Sequence, residues 1–327
     1  MLYGIFTRKR VLAMHSHGIM FHHFHDETVH PKGQGSISAA DLESIINALL
    51  ANFTILDARE YSKRASAGTL QSNDLTLTFD DALKCQHDIA APILKKYDIR
   101  AFFFVYSSVF GDNPDPLEYY RDYRNSCFDN LDSFYESFFM HFNTKYPRYS
   151  YKYKQDYPKD YLSAFPFYTD NDRRFRFVRD KILGPELYNS ILEVMMQSAR
   201  YSKAERRKTL FMEKEDLVSL SSQGHIIGLH SHTHPTQIHL LEESIQRREY
   251  EENQKFIQEN IGIKPACMSH PCGNYNSTTL SILNRLGISI GFRSSMSPSV
   301  AMSNLEIPRE DHANVMKSIT QTGGYLR

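Results

Sequence analysis

The sequence predicts an α/β chain: an irregular (β/α)7-type barrel, incomplete as a ring and interrupted once by a mostly helical insertion. Three observations carry that expectation. Short apolar runs alternate with segments of helical period, as a βα-repeat requires. Two of those runs end in chemistry-bearing residues, 75–79 at Asp80-Asp81 and 225–229 at His230-Ser231-His232-Thr233-His234. Between Gly111 and Leu210 the texture changes to a long stretch rich in Tyr, Phe, Asp and Arg.

Taken in order, residues 18–24 read as a strand ending in histidines, and 38–51 as a helix that Ser36 or Ser38 can cap. Residues 75–79 form a strand and 84–97 a helix. Residues 101–106 are almost wholly apolar, the mark of a parallel strand buried on both faces. In the insertion the period is helical, as in Leu187, Tyr188, Ile191, Leu192, Val194 and Met195. After it come a helix at 213–222 stopped by Gln223-Gly224, the strand 225–229 and a long Glu- and Arg-rich helix at 240–260. Short strands at 266–269, 288–292 and 305–307 follow, with a helix at 278–286 between the first two. The chain 1–327 is expected to be one domain carrying an inserted subdomain over about 111–210. A connection that long is a lid, an assembly surface or disordered, and its aromatic content argues against disorder. A substrate cap and a surface for homo-oligomer assembly both fit it.

At 327 residues, 41% hydrophobic and 23% charged, the composition is ordinary globular usage. With 38 basic and 38 acidic residues the total charge draws the chain toward neither nucleic acid nor anionic membrane. Cys85, Cys127, Cys267 and Cys272 form no C-x-x-C pair and need no disulfide framework. In residues 1–20, Arg8, Lys9 and Arg10 precede only four apolar-rich positions before His15, too short a core for a signal peptide. No run approaches the ~20 apolar residues that span a bilayer. A cytoplasmic enzyme without an integral membrane segment is the expectation.

Alone, Asp-Asp after a strand reads as a turn or helix cap, and His-x-x-x-His arises by accident in a chain with 15 histidines. Both, however, stand at the carboxyl end of a strand, where α/β folds build their sites. Together they are the parts of a one-metal hydrolytic site.

These residues resemble the polysaccharide deacetylase family, the carbohydrate esterases sharing the NodB-type homology domain. Its first motif, T-F-D-D, is matched by Thr78-Phe79-Asp80-Asp81, and its second, H-[ST]-x-x-H, by His230, Ser231 and His234. Residues 217–232 also look like the family's helix-Gly-strand lead-in. The resemblance implies that Asp81, His230 and His234 hold a divalent metal, with Zn²⁺ the default for such a set and Co²⁺, Ni²⁺ or Fe²⁺ able to use the same ligands. It implies that Asp80, unliganded, is the base. Where many members carry R-x-P-[YF], this chain has His270-Pro271-Cys272-Gly273-Asn274-Tyr275-Asn276, similar to the Y-P-x-G-x-Y-N version of a sub-branch. The group orienting Asp80 would then be Arg309, in an element similar to that sub-branch's L-P-R; a surface salt bridge is the other reading of Arg309. The family's L-x-H is not found. In the sub-branch with rearranged motifs an N-terminal Y-H supplies the general acid, and Met20-Phe21-His22-His23-Phe24-His25 resembles it with Phe for Tyr. That alignment puts the acid at His22, with His23 the one-residue alternative and His312 the alternative near the C-terminus. His15, His17, His25 and His30 read as ordinary polar positions.

Amide hydrolysis needs an activated water, a sink for the oxyanion and a proton for the leaving amine. Two histidines and a carboxylate leave metal positions open for water and the acyl oxygen. The expected activity is metal-dependent removal of an N-acetyl group from an acetamido sugar. With no export signal visible, the expected substrate is an intracellular, nucleotide- or lipid-linked precursor of a surface glycan such as the O-antigen of lipopolysaccharide or a capsule. The alternatives are a deformylase or cyclic-amide hydrolase of the same fold, or a catalytically silent sugar-binding or scaffolding relative. A zincin-type protease does not fit, because no Glu follows His230.

Overall fold

Strands β1 (His17–Phe21), β2 (Thr54–Ile55), β3 (Asp74–Asp80), β4 (Phe102–Val105), β5 (Ile226–Leu229), β6 (Cys267–Ser269), β7 (Ile290–Phe292) and β8 (Arg309–Asp311) build one sheet. Its order is β7-β6-β5-β4-β3-β1-β8, with β2 beside β3, and every pairing is parallel. Between the two outermost strands, Phe292 of β7 bridges to Ile307, just ahead of β8. A Cβ on Gly291 would lie 2.6 Å from the Leu305 carbonyl oxygen, so glycine is what lets this closing segment approach. The result is the nearly closed parallel barrel of (β/α)7 type that the sequence predicts.

The computed structural model describes residues 15–111, 114–162, 169–298 and 300–325; the 8–14 stretch considered for a signal peptide lies outside them. The chain forms two compact units, Met1–Asp115 with Phe211–Arg327, and Pro116–Leu210. Strands β1, β3, β4, β6 and β7 are buried along their whole length, as parallel strands covered on both faces are. Phe21, Phe79 and Phe103 are direct register partners. Their rings stack at 5.1 and 4.7 Å because the strand spacing of ~4.8 Å sets the ring spacing.

Several elements depart from expectation. β1 stops at Phe21 rather than reaching residue 24, so His22 and His23 lie beyond its ladder. The segment 84–97 opens with a wide π-turn, Gln86–Ala90, and becomes α-helical at Ala91–Lys96. Pro92 has no N–H to bond back into the wide turn. Instead of a strand at 305–307 there is the single bridge at Ile307, followed by β8 after Pro308. The helix Ala58–Ala67 is missed from sequence because its buried stripe is only Ala58, Tyr61 and Ala65 among charged residues.

The second unit is helical: Leu117–Ser126, Leu131–Lys145, Pro147–Asp156, Asp170–Phe177, Gly184–Ser198 and Lys203–Leu210, with a π-turn at Val178–Leu183. Aromatic side chains including Phe134, Phe138 and Phe175 pack edge to face in its core. None of the four cysteines is in a disulfide. No helix among the described residues is long and apolar enough to cross a membrane.

Candidate metal centre and active site

β3 delivers Asp80 as its last residue, fully inside the barrel. Arg309, the first residue of β8, reaches across β1 to meet it, passing Gly18, where a Cβ would stand 3.1 Å from Arg309 Cγ. Arg309 Nη1 donates to Asp80 Oδ1 at 2.8 Å and Nη2 to Oδ2 at 2.7 Å. The remaining donors are also used, on Thr78 Oγ1, Ser269 Oγ and the Arg293 carbonyl. At 1% exposure Arg309 is no surface salt bridge. Burial would raise the Asp80 pKa, but the Arg309 and His230 charges outweigh it and hold the carboxyl below its ordinary value.

Asp81 lies just past the strand with φ 82°, and its N–H donates to the Phe104 carbonyl. The left-handed backbone turns its carboxylate away from Arg309. Ala82, Ser231 and His234 are also left-handed, at 55°, 67° and 57°. Non-glycine residues in this region are strained, and such strain gathers where the fold must aim particular groups.

The two histidines follow β5. His230 N–H is held by the Val105 carbonyl and Asn253 Oδ1, and its Nδ1 donates to the Ser269 carbonyl at 2.8 Å. A carbonyl only accepts, so Nδ1 carries a proton; burial works against charging this ring, but Asp80 and Asp81 raise its pKa, and a cation at Nε2 would take the place of the second proton. The following loop is tied down by Glu249, which accepts from the His232 and Thr233 N–H groups and the Thr233 hydroxyl. Ser231 Oγ accepts from His234 N–H. Asn253 and Glu249 both belong to the long helix Glu243–Ile261.

His230 Nε2 and His234 Nε2 come to 3.3 and 3.6 Å from Asp81 Oδ1. Among the described residues these three side chains are the group whose ligating atoms all lie within 4.8 Å of one another. Asp81 Oδ1 is buried and has no hydrogen-bond donor. Burial holds His234 down to about 4, so its ring is neutral, the form that binds metal. For Asp81, burial acts upward, yet a proton on His230 and the positive charge the surrounding imidazoles carry when protonated hold it well below the carboxylate range. A buried anionic oxygen with no hydrogen-bond donor, approached by the Nε2 atoms of two imidazoles, fits a divalent cation in a His₂Asp donor set with positions left over.

His22 Nε2 lies 3.9 Å from Asp81 Oδ2, its side chain 29% exposed. No strand ladder holds this residue. Gln86, buried in the π-turn, donates through Nε2 to both the His22 and Asp80 carbonyls. His23 stands beside it, the two rings nearly parallel and 6.3 Å apart. His312 occupies a packing position: it stacks on Phe21, and its ring nitrogens sit 3.3 and 3.2 Å from the Met20 and Gly35 carbonyls.

Sequence reasoning missed Ser269, Gln86, Asn253 and Glu249. Ser269 carried a usable signal, since it ends a predicted strand on the same rim as the two motifs. The other three sit on helices, where no local pattern separates them from ordinary polar residues.

The sequence matches the polysaccharide deacetylase family profile over residues 67–125 and 194–291. The chain belongs to the polysaccharide deacetylase family. Solved structures of similar fold include the Streptococcus pyogenes deacetylase PplD in complex with acetate, at 15% identity and TM-score 0.54 over 94% of this chain and 96% of that one. The de-N-acetylase from Aggregatibacter actinomycetemcomitans is similar at 15% identity and TM-score 0.53, over 90% and 93% of the two chains. IcaB from Ammonifex degensii has 15% identity and TM-score 0.52, over 90% and 91%. At these identities the likeness is one of fold. No curated protein matches the sequence. Within the polysaccharide deacetylase match fall both motifs, Thr78–Asp81 and His230–His234, whereas His22 and Arg309 lie outside it.

Proposed function

We propose that this protein is a divalent-metal-dependent hydrolase that removes the N-acetyl group of an acetamido sugar. The observation that supports it most is the donorless, buried Asp81 Oδ1 between His230 and His234, beside an Asp80 held separately by Arg309. A cation held by Asp81, His230 and His234, most simply Zn²⁺, would polarise the acyl oxygen and lower the pKa of a water from 15.7 toward ~7.

The remaining work belongs to the chain. Asp80 takes the proton from the attacking water. Arg309 keeps Asp80 ionised and fixes the plane of its carboxylate, so that it does not turn to join Asp81. His22, partly exposed on the far side of Asp81, protonates the departing nitrogen. The substrate proposed is a nucleotide- or lipid-linked acetamido sugar on the way to an O-antigen or capsule, handled in the cytoplasm.

The test is acetate release by the purified protein from a panel setting such precursors against polymeric N-acetylated glycan, before and after chelation and Zn²⁺ return. Acetate from the precursors, lost with chelation and restored with metal, is expected. Release from polymer alone would overturn the substrate, and release of formate alone would overturn the acyl group. Acetate release unaffected by complete metal removal would overturn the mechanism.

A further inference from the structure

We propose that the helical unit carries a binding site of its own, for an acidic saccharide: a sugar chain bearing carboxylate or phosphate groups. The site is a cavity of about 280 Å³ among the helices Leu131–Lys145, Pro147–Asp156 and Asp170–Phe177. That volume lies at the small end of ligand pockets and suits roughly one or two sugar rings.

Its walls supply three kinds of contact. Phe139 and Tyr153 stand 5.9 Å apart and nearly parallel, giving flat ring surface for the C–H face of a sugar. Asn143 accepts the Ser150 hydroxyl through Oδ1, which leaves its Nδ2 to donate. Asn171 gives its Nδ2 to Asp132 at 2.8 Å, which leaves its Oδ1 to accept. A spare donor and a spare acceptor on one small cavity match sugar hydroxyls.

Charge selects the class of sugar. Lys154 and Arg174 line the cavity, both exposed and neither in an ion pair among the described residues. Elsewhere in this unit Arg173, Arg179, Lys203 and Arg206 each have a carboxylate partner. Glu136 is the one carboxylate among the described lining residues. The stretch 116–210 holds 17 Lys and Arg against 13 Asp and Glu, although the whole chain is neutral. Beyond the cavity the helix Pro147–Asp156 exposes Tyr149 and Tyr151, at 41% and 66%, beside Arg148 and Lys152. The aromatic and cationic surface thus continues past a single ring, as a chain ligand requires. A lipid surface fits less well, since this helix has no Leu, Phe or Trp face to sink into a bilayer. A long polyanion such as nucleic acid fits less well too, since the chain as a whole has no net positive field.

Titration calorimetry on the full-length protein tests the site with tetragalacturonate, glucose 1-phosphate and neutral maltotetraose as probes. Binding of tetragalacturonate or glucose 1-phosphate, weakened about tenfold or more by K154Q/R174Q and untouched by the exposed control K208Q, is expected. Which of the two binds tells whether carboxylate or phosphate is the group read. Equal binding of maltotetraose or inorganic phosphate, unchanged affinity in the double variant, tighter binding of oligo(dT) or anionic vesicles, or no heat at millimolar probe would each overturn the proposal. Circular dichroism of the variant separates loss of binding from loss of fold. The barrel hydrolase reading stands or falls separately, because acetate release from small substrates should be the same in K154Q/R174Q.

Discussion

The helical unit buries Asp122 and Asp172, the barrel holds the adjacent Asp80 and Asp81, and only one of the four is left without a full set of donors. In the helical unit Asp122 accepts from the Tyr201 hydroxyl at 2.6 Å and from Arg206 Nε and Nη2 at 2.8 and 2.7 Å. Asp172 receives the Tyr135 hydroxyl together with the N–H and hydroxyl of Thr169. Every oxygen has a donor, as buried carboxylates require. In the barrel Asp80 is saturated in the same manner by Arg309 and Ser269, but Asp81 Oδ1 is left without a donor. The difference teaches how to tell a structural carboxylate from a ligand. A structural one is closed by its neighbours, and a ligand faces other groups that also have a lone pair to give.

The largest effects should separate Asp81 from Asp122. Asp81→Ala, His230→Ala or His234→Ala should each strip the metal, read by elemental analysis, and cut turnover by about 10³ or more. Asp122→Ala should leave metal content alone and cost about 2–4 kcal/mol in denaturant unfolding, since it strands Arg206 and Tyr201. Should Asp81→Ala lose as much stability as Asp122→Ala while metal-free, Asp81 is a structural carboxylate after all.

Within the barrel, the comparison of Asp80 with Asp81 should show in turnover. Asp80→Asn and His22→Ala should both keep the metal and lose roughly 10²–10⁴ in turnover, the usual worth of one acid–base group. The His22→Ala loss should shrink on an activated ester, whose leaving group departs without a proton. If Asp80→Asn empties the site as fully as Asp81→Ala, the division between base and ligand is wrong. If His23→Ala reproduces the His22→Ala pattern while His22→Ala stays near wild type, the acid has been placed one residue out.

The smallest effect is on the acid stability of the barrel. His225 is buried and accepts the Ala101 N–H on Nδ1, which requires a neutral ring, and burial holds it down to about 4. The unfolded chain takes up this proton near 6.5. The folded state therefore binds fewer protons between those values, so stability is full above about 6.5 and falls as pH drops toward 4, by up to about 3 kcal/mol. His225→Gln should lower stability at pH 7 but flatten this slope in melting curves. Equal slopes in variant and wild type would remove His225 as the cause.

Much of the barrel was legible because parallel strands buried on both faces are built mainly of apolar and β-branched residues, and 75–79, 101–106 and 225–229 are short runs of that kind. Asp80, Asp81, His230 and His234 were legible because strand ends place them on one rim. The helix Ala58–Ala67 was not, since its three buried residues make too thin a stripe. Nor could sequence choose between two readings of Arg309, because its partner lies 229 positions away and the intervening β1 had to be glycine at position 18 to let it through.

Local periodicity and side-chain type were enough to set the class of fold and to put carboxylates and histidines at strand ends as candidates for the chemistry. Which of those residues meet depends on contacts between segments far apart in the chain. The left-handed turn at Asp81 separates two neighbouring carboxylates into one gripped by Arg309 and one facing imidazoles. Gln86, with no local signal at all, ties the His22 and Asp80 carbonyls together just past the last rung of the β1–β3 ladder. Register and backbone handedness depend on contacts between distant segments, and no window of neighbouring residues contains them.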